Sequence, residues 1–146
     1  VSQTVYPFIP TGAIARIESG ILTPNASTQS TSEVSLFKLQ ITPKYSGNLF
    51  YSGKLIVTIN DQVYVSHTWY FKVVDLFDNS IILNQSGTTS GDFTYTIILD
   101  FVRYFTDVSP ASPVSLLDFR GYISSAWAGV LTLKQIQYYL TTIYGK

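Results

Sequence analysis

The sequence predicts an all-β protein, a two-sheet antiparallel β-sandwich of jelly-roll type with roughly seven to nine strands. Three observations lead there. Apolar residues recur at every second position over several stretches, the mark of a half-buried strand. Clusters of Gly, Pro, Asn, Asp and Ser separate those stretches at fairly regular spacing. No stretch offers a convincing helix. Composition agrees: 46% of the 146 residues are hydrophobic and 12% charged, with 11 Tyr, 9 Phe and 2 Trp. Aromatic and β-branched side chains suit a pleated, half-buried surface. A chain of this length reads as one folded unit that buries enough surface to need no disulfide.

Residues 1–22 read as an N-terminal extended segment, followed by a β-sandwich domain over residues 23–146. Pro7 and Pro10 keep the first segment out of a central strand, because Pro cannot donate to the ladder. Its apolar residues Val5, Phe8, Ile9, Ile14 and Ile17 can each fill a pocket, and residues 13–17 can pair as a short edge strand. Residues 23–32 are rich in Ser, Thr, Pro and Asn and read as a loop. Phe37, Leu39 and Ile41 then alternate with Lys38, Gln40 and Thr42. Val34 and Leu36 sit in the opposite phase, which predicts a bulge near Leu36 or a strand apolar on both faces.

Residues 43–47 form a turn, and residues 49–51 a short strand. Leu55, Val57 and Ile59 open a hairpin whose connection falls at Asn60, Asp61 and Gln62. Val63, Val65, Trp69, Phe71 and Val73 continue on one face, and the length of that run predicts a bend. A connection over residues 75–79 leads to a short strand at 80–83 and a loop at 85–92. Phe93, Tyr95, Ile97, Leu99 and Phe101 make the next apolar face. Residues 107–113 are a loop, 114–124 a strand and 126–129 a turn. In the tail, Leu133, Ile136, Leu140 and Ile143 fit helical spacing, whereas Tyr138, Tyr139, Thr141 and Thr142 favour strand. Strand is the preferred reading.

Reactive groups are scarce. There is no Cys or Met, one His (His67), and only Glu18 and Glu33 as glutamates. His67 lies in phase with Val65 and Trp69, so it reads as a buried or sheet-end histidine. Without a second His or a Cys, neither a metal site nor a His-assisted nucleophile is supported. Asp75, Asp78 and Asn79 share one connection. They lack calcium-loop spacing, and Asp and Asn favour turns in any case. Asp118 with Arg120, and Asp100 with Arg103, read as ion pairs. Nothing brings two carboxylates together for glycoside hydrolysis, and no nucleophile elbow or phosphate loop is present. The expectation is a non-enzyme with no cofactor and no metal.

Nine basic residues balance nine acidic ones, a net charge of zero. That balance, with no basic arm in the sequence, argues against direct nucleic-acid binding. It also makes close association of copies electrostatically cheap. No apolar run has the length of a membrane span. The chain starts at Val1 without Met, which fits either a removed leader or a trimmed initiator. Asn25–Ala26–Ser27 and Asn84–Gln85–Ser86 are acceptor tripeptides for Asn-linked sugar, so Asn25 and Asn84 are candidate glycosylation positions. Exposed Tyr64, Tyr70 or Trp127 can stack on sugars or contact proteins.

The Tyr-, Ile-, Thr- and Ser-rich texture, free of Cys, resembles structural proteins of hyperthermophilic archaea and their viruses. The stretch from Val5 to Ile17 resembles the N-terminal donor strand of archaeal extracellular filament subunits of the thread and bundling-pilus type. Size and strand content also resemble the single jelly-roll capsid protein. The first resemblance implies a pilus-like, extracellular, cell-surface homopolymer joined by strand exchange, with Val5, Phe8, Ile9, Ile14 and Ile17 as docking residues. The second implies a virion surface protein whose sandwich is complete in each subunit. A carbohydrate-binding module is a third reading.

Overall fold

A computed structural model describes residues 2–5, 14–42, 47–109 and 112–145. Ten strands are found there: β1 (Ser2–Val5), β2 (Ile14–Leu22), β3 (Ala26–Thr28), β4 (Val34–Ile41), β5 (Gly47–Val63), β6 (His67–Asp75), β7 (Ser80–Thr89), β8 (Phe93–Val108), β9 (Ser115–Ile123) and β10 (Gly129–Gly145). One sheet has the order β1-β4-β9-β6-β7 and the other β2-β10-β5-β8, with β3 also on β10. All pairings are antiparallel except β1 with β4. No helix among the described residues is long and apolar enough to cross a membrane.

β2 and β3 act as one interrupted edge strand. Both pair with β10, at Leu22–Ile136 and Ala26–Leu133, and the residues between them bulge out. Asn25 takes a φ of 46° at that interruption, a left-handed conformation that Asn tolerates better than most residues. With β2 and β3 counted together and β1 set aside, eight strands remain. Their order, four to a sheet, is that of a jelly roll.

Strand alternation builds the core. Leu39 and Ile41 on β4, Leu117 and Phe119 on β9, and Phe71 and Val73 on β6 face inward. They meet Leu55, Val57 and Ile59 on β5, Ile97 and Leu99 on β8, and Leu131, Leu133, Ile136 and Leu140 on β10. Phe119 sits centrally, its ring centroid 6.2 Å from Phe37 and 6.4 Å from Phe71, within the range of favourable aromatic pairs. Trp69 packs on Tyr95 at 4.8 Å and lies over Gly87. A Cβ at Gly87 would come within 2.8 Å of the indole, so no larger residue fits there without rearrangement.

Several expectations hold. The β4 ladder shifts register between Ser35 and Phe37, the bulge predicted near Leu36. The tail is a strand throughout its described length. Its helix-like spacing arises from a register shift between Leu133 and Gln135, which changes the inward phase from Leu131 and Leu133 to Ile136 and Leu140.

Other expectations need correction. The connection expected at Asn60, Asp61 and Gln62 lies inside β5, and the chain reverses at Tyr64 to Ser66 instead. Polar residues persist there because Asp61 turns inward to meet His67. Residues 85–89, expected in a loop, extend β7 along β6 as its outer neighbour, where polar side chains meet water. Part of the loop expected at residues 23–32 is β3.

Replacing Phe119 with Ala should cost about 3–5 kcal/mol in urea unfolding, the usual loss for an aromatic deleted from a packed core. Thr96→Ala, on an exposed face, should stay within about 0.5 kcal/mol of the parent.

Candidate functional site

The two outer faces of the sandwich differ in chemistry. On the β2-β10-β5-β8 sheet the register aligns Ile21, Gln137, Ile56 and Ile98 in one row across all four strands. The next row is Ser19, Tyr139, Lys54 and Asp100, and Val102 follows opposite Ser52. Ile21, Ile98, Val102 and Tyr104 are each between 57% and 62% exposed, so aliphatic and aromatic surface stands in water. Lys54 and Asp100 pair in register, yet no ion pair joins them to each other or to another described residue.

Most of this apolar surface belongs to β8. That strand runs 16 residues at the edge of its sheet and contains neither Pro nor Gly. Natural sheets usually blunt so long an edge; here the ladder to β5 stays in register from Phe93 to Phe105, and it shifts only between Phe105 and Val108. The outward residues Ile98, Val102 and Tyr104 therefore adjoin a row of unpaired backbone groups. A sequence signal did exist: Leu55-Ile56-Val57 and Ile97-Ile98-Leu99 are apolar in both phases, so each strand has apolar residues on its outer face as well as in the core.

The single histidine and several of the acidic groups are engaged in contacts within the fold. His67 and Asp61 are fully buried side chains, with His67 Nε2 2.7 Å from Asp61 Oδ1 and Nδ1 2.8 Å from the Val65 carbonyl oxygen. Gly129 closes over them: a Cβ there would lie 2.3 Å from His67 Cε1. The histidine is buried and ties the start of β6 to the end of β5.

Asp75 and Asp78 do come together, but around a side chain. Arg103 Nη2 lies 3.2 Å from Asp75 Oδ2, and Nη1 pairs with Asp78 Oδ2. The guanidinium occupies the position a cation would take, and no metal-ligating cluster occurs among the described residues. The pairing expected between Arg103 and Asp100 is corrected accordingly. Arg103 points to the inner side of β8 and bridges the sheets, whereas Asp100 points out. The expected Asp118–Arg120 pair is present, with Nε donating to Oδ2 over 2.7 Å.

Of the proposed docking residues, Phe8 and Ile9 lie outside the described residues. Val5 belongs to β1, opposite Ile41 of β4. Ile14 and Ile17 belong to β2, opposite Tyr144 and Thr141 of β10. Asn25 and Asn84 are both exposed, the first at the β2–β3 interruption and the second on β7. Tyr64, Val65 and Trp127 are exposed at one end of the sandwich, where the Tyr64 and Val65 amides both donate to the Ala128 carbonyl.

Fold and surfaces together define a jelly-roll β-sandwich protein. The sequence matches no protein-family model and no curated protein. Among solved structures it is similar to the infectious bursal disease virus Gx strain structure, at 14% identity and a TM-score of 0.41, over 90% of this chain and 32% of that one. The VP2 subviral particle of the same virus gives 12%, 0.40, 90% and 33%. A structure titled "CBM4 structure and function" gives 13%, 0.35, 90% and 78%. The chain thus spans about a third of the length of the viral chains. Identities and TM-scores this low carry no argument about function.

The Arg103 cluster sets a pH expectation. Its hydrogen bond holds the Asp78 carboxyl below the usual carboxylate range, against an opposing effect of burial. A depressed folded value stabilises the protein above the unfolded value and is lost as pH falls through the folded one. The difference in urea midpoint between the parent and Arg103→Met should therefore shrink from about pH 5 toward about pH 2. A constant difference would show that the cluster acts by packing alone.

Proposed function

We propose that this chain is a non-enzymatic structural subunit that assembles with copies of itself. The observation that carries the reading is the β8 edge with its apolar outer face. Ile98, Val102 and Tyr104 stand exposed on a long edge strand, within the stretch that stays in register with β5. Four strands at about 4.8 Å spacing and a 17-residue β5 give the face an area on the order of 1,000 Å². A stable interface needs about 800 Å² per partner. Lys54 and Asp100, unpaired among the described residues, give the face one charge of each sign, so a second copy can answer both.

Two assemblies fit. In a virion shell the subunit is a complete sandwich that associates by its sides. What supports this form is that the chain itself supplies all eight jelly-roll strands. In an extracellular, cell-surface filament a neighbour's N-terminal strand joins the sheet. What supports that form is that β1 is extra to the eight and lies at the β4 edge, a position a copy's strand can fill. Neither form requires nucleic-acid contact, a cofactor or a membrane span.

Sedimentation and negative-stain microscopy test the reading. The parent should form large particles at micromolar concentration. Ile98→Lys combined with Val102→Lys should shift association at least tenfold toward monomer with an unchanged circular dichroism spectrum. Parent protein that stays monomeric at every concentration would overturn the proposal. Removal of residues 1–13 separates the two forms: loss of polymers with a folded monomer favours strand exchange, and persistent particles favour the shell.

A further inference from the structure

The outer face of the other sheet is polar, and it holds a small recess. Tyr122 on β9, Tyr70 on β6 and Ser86 on β7 align in one row, and Arg120, Lys72 and Asn84 align in the next. The Tyr70 and Tyr122 rings stack with centroids 4.3 Å apart and planes 9° from parallel. Ser86 is short and exposed, and Tyr70 beside it is half-buried. Tyr70, Lys72, Asn84, Arg120 and Tyr122 line a cavity of about 100 Å³, which Glu33 also lines.

Charges in the recess are balanced in advance. Glu33 lies 3.4 Å from Lys72 Nζ and 3.6 Å from Arg120 Nη1, and Arg120 is also held by Asp118. The Asp118 hydrogen bond raises the Arg120 pKa further, so its charge is permanent. Two cations and two anions leave no net charge to attract an ion of either sign. The loose contacts to Glu33 leave donors on both cations and lone pairs on the carboxylate. Neither the two Tyr hydroxyls nor the Asn84 amide has a hydrogen-bond partner among the described residues. Donors and acceptors therefore line a charge-balanced recess beside a stacked tyrosine pair.

We infer that this recess binds a neutral saccharide. Sugar hydroxyls both donate and accept, as the Glu33, Lys72, Arg120 and Asn84 set requires, and the C–H face of a pyranose lies on an aromatic ring. The cavity, about 100 Å³, takes only part of one sugar ring, and the rest would lie over Tyr70. The sugar has two sources with the same chemistry. One is a separate glycan. The other is a glycan on Asn84 itself, an exposed residue that lines the cavity and opens the Asn84–Gln85–Ser86 acceptor tripeptide.

Unglycosylated full-length protein would be applied to a printed array of neutral gluco-, manno- and galacto-configured oligosaccharides, beside Tyr70→Ala, Lys72→Met and Tyr64→Ala. Native material would be analysed by mass spectrometry at the Asn84 peptide, and by NMR for ring-current-shifted sugar protons. Array binding that falls at least tenfold in both Tyr70→Ala and Lys72→Met, with Tyr64→Ala unchanged and all variants folded, supports a separate glycan. Sugar on Asn84 with upfield-shifted protons supports the attached one. Array binding that survives both recess variants, or falls equally with Tyr64→Ala, overturns the inference. So does the absence of both array binding and ring-shifted sugar.

Discussion

β10 pairs with β5 from Gly129–Val63 to Gly145–Asn48, and this ladder holds the sandwich together. Both strands are central in their sheet, so each also carries an outer neighbour: β2 and β3 lie on β10, and β8 lies on β5. Their inward residues, Leu55, Val57, Ile59, Leu131, Leu133, Ile136 and Leu140, form one wall of the core. With few charges and no disulfides to help, cohesion rests on backbone pairing and apolar contact between two walls. Any register slip on β10 would turn its inward set to water, which makes the shift at Lys134 a fixed feature of the fold. It lies level with the β2–β3 interruption, so two strands change phase together.

Much of this was legible because alternation is local. Phe37, Leu39 and Ile41 declare β4, and Leu36 declares its bulge. What escaped was polarity explained from a distance. Asn60, Asp61 and Gln62 look like a turn until His67 arrives from the next strand to meet Asp61. The segment around Gly87 looks like a flexible loop, yet that glycine is needed because Trp69 lies across it. Arg103 has a near acidic neighbour in sequence, Asp100, but alternation sends the two to opposite faces, and the strand places Arg103 beside Asp75 and Asp78. The apolar outer face was visible only as runs without alternation. The polar recess was hidden further, since Glu33, Tyr70, Asn84 and Arg120 come from different parts of the chain.

The two sheets thus divide their labour. One outer face exposes Ile21, Ile98, Val102 and Tyr104, and the opposite one carries a balanced ionic cluster and a tyrosine stack. Apolar area drives association with little regard for direction, whereas convergent hydrogen-bond groups select a ligand. A subunit packed through the first face keeps the second turned outward. Assembly and recognition can therefore coexist without competing for the same residues.

The placement of the two tryptophans has an optical consequence. Trp69 is 2% exposed in the core, whereas Trp127 is 78% exposed and takes a φ of 67° at the sandwich end. A water-borne quencher reaches the second indole and not the first. Emission from the buried ring follows the integrity of the sheets, and emission from the exposed ring follows whatever covers that end. The molecule carries two native fluorophores that report on separate events without any added label.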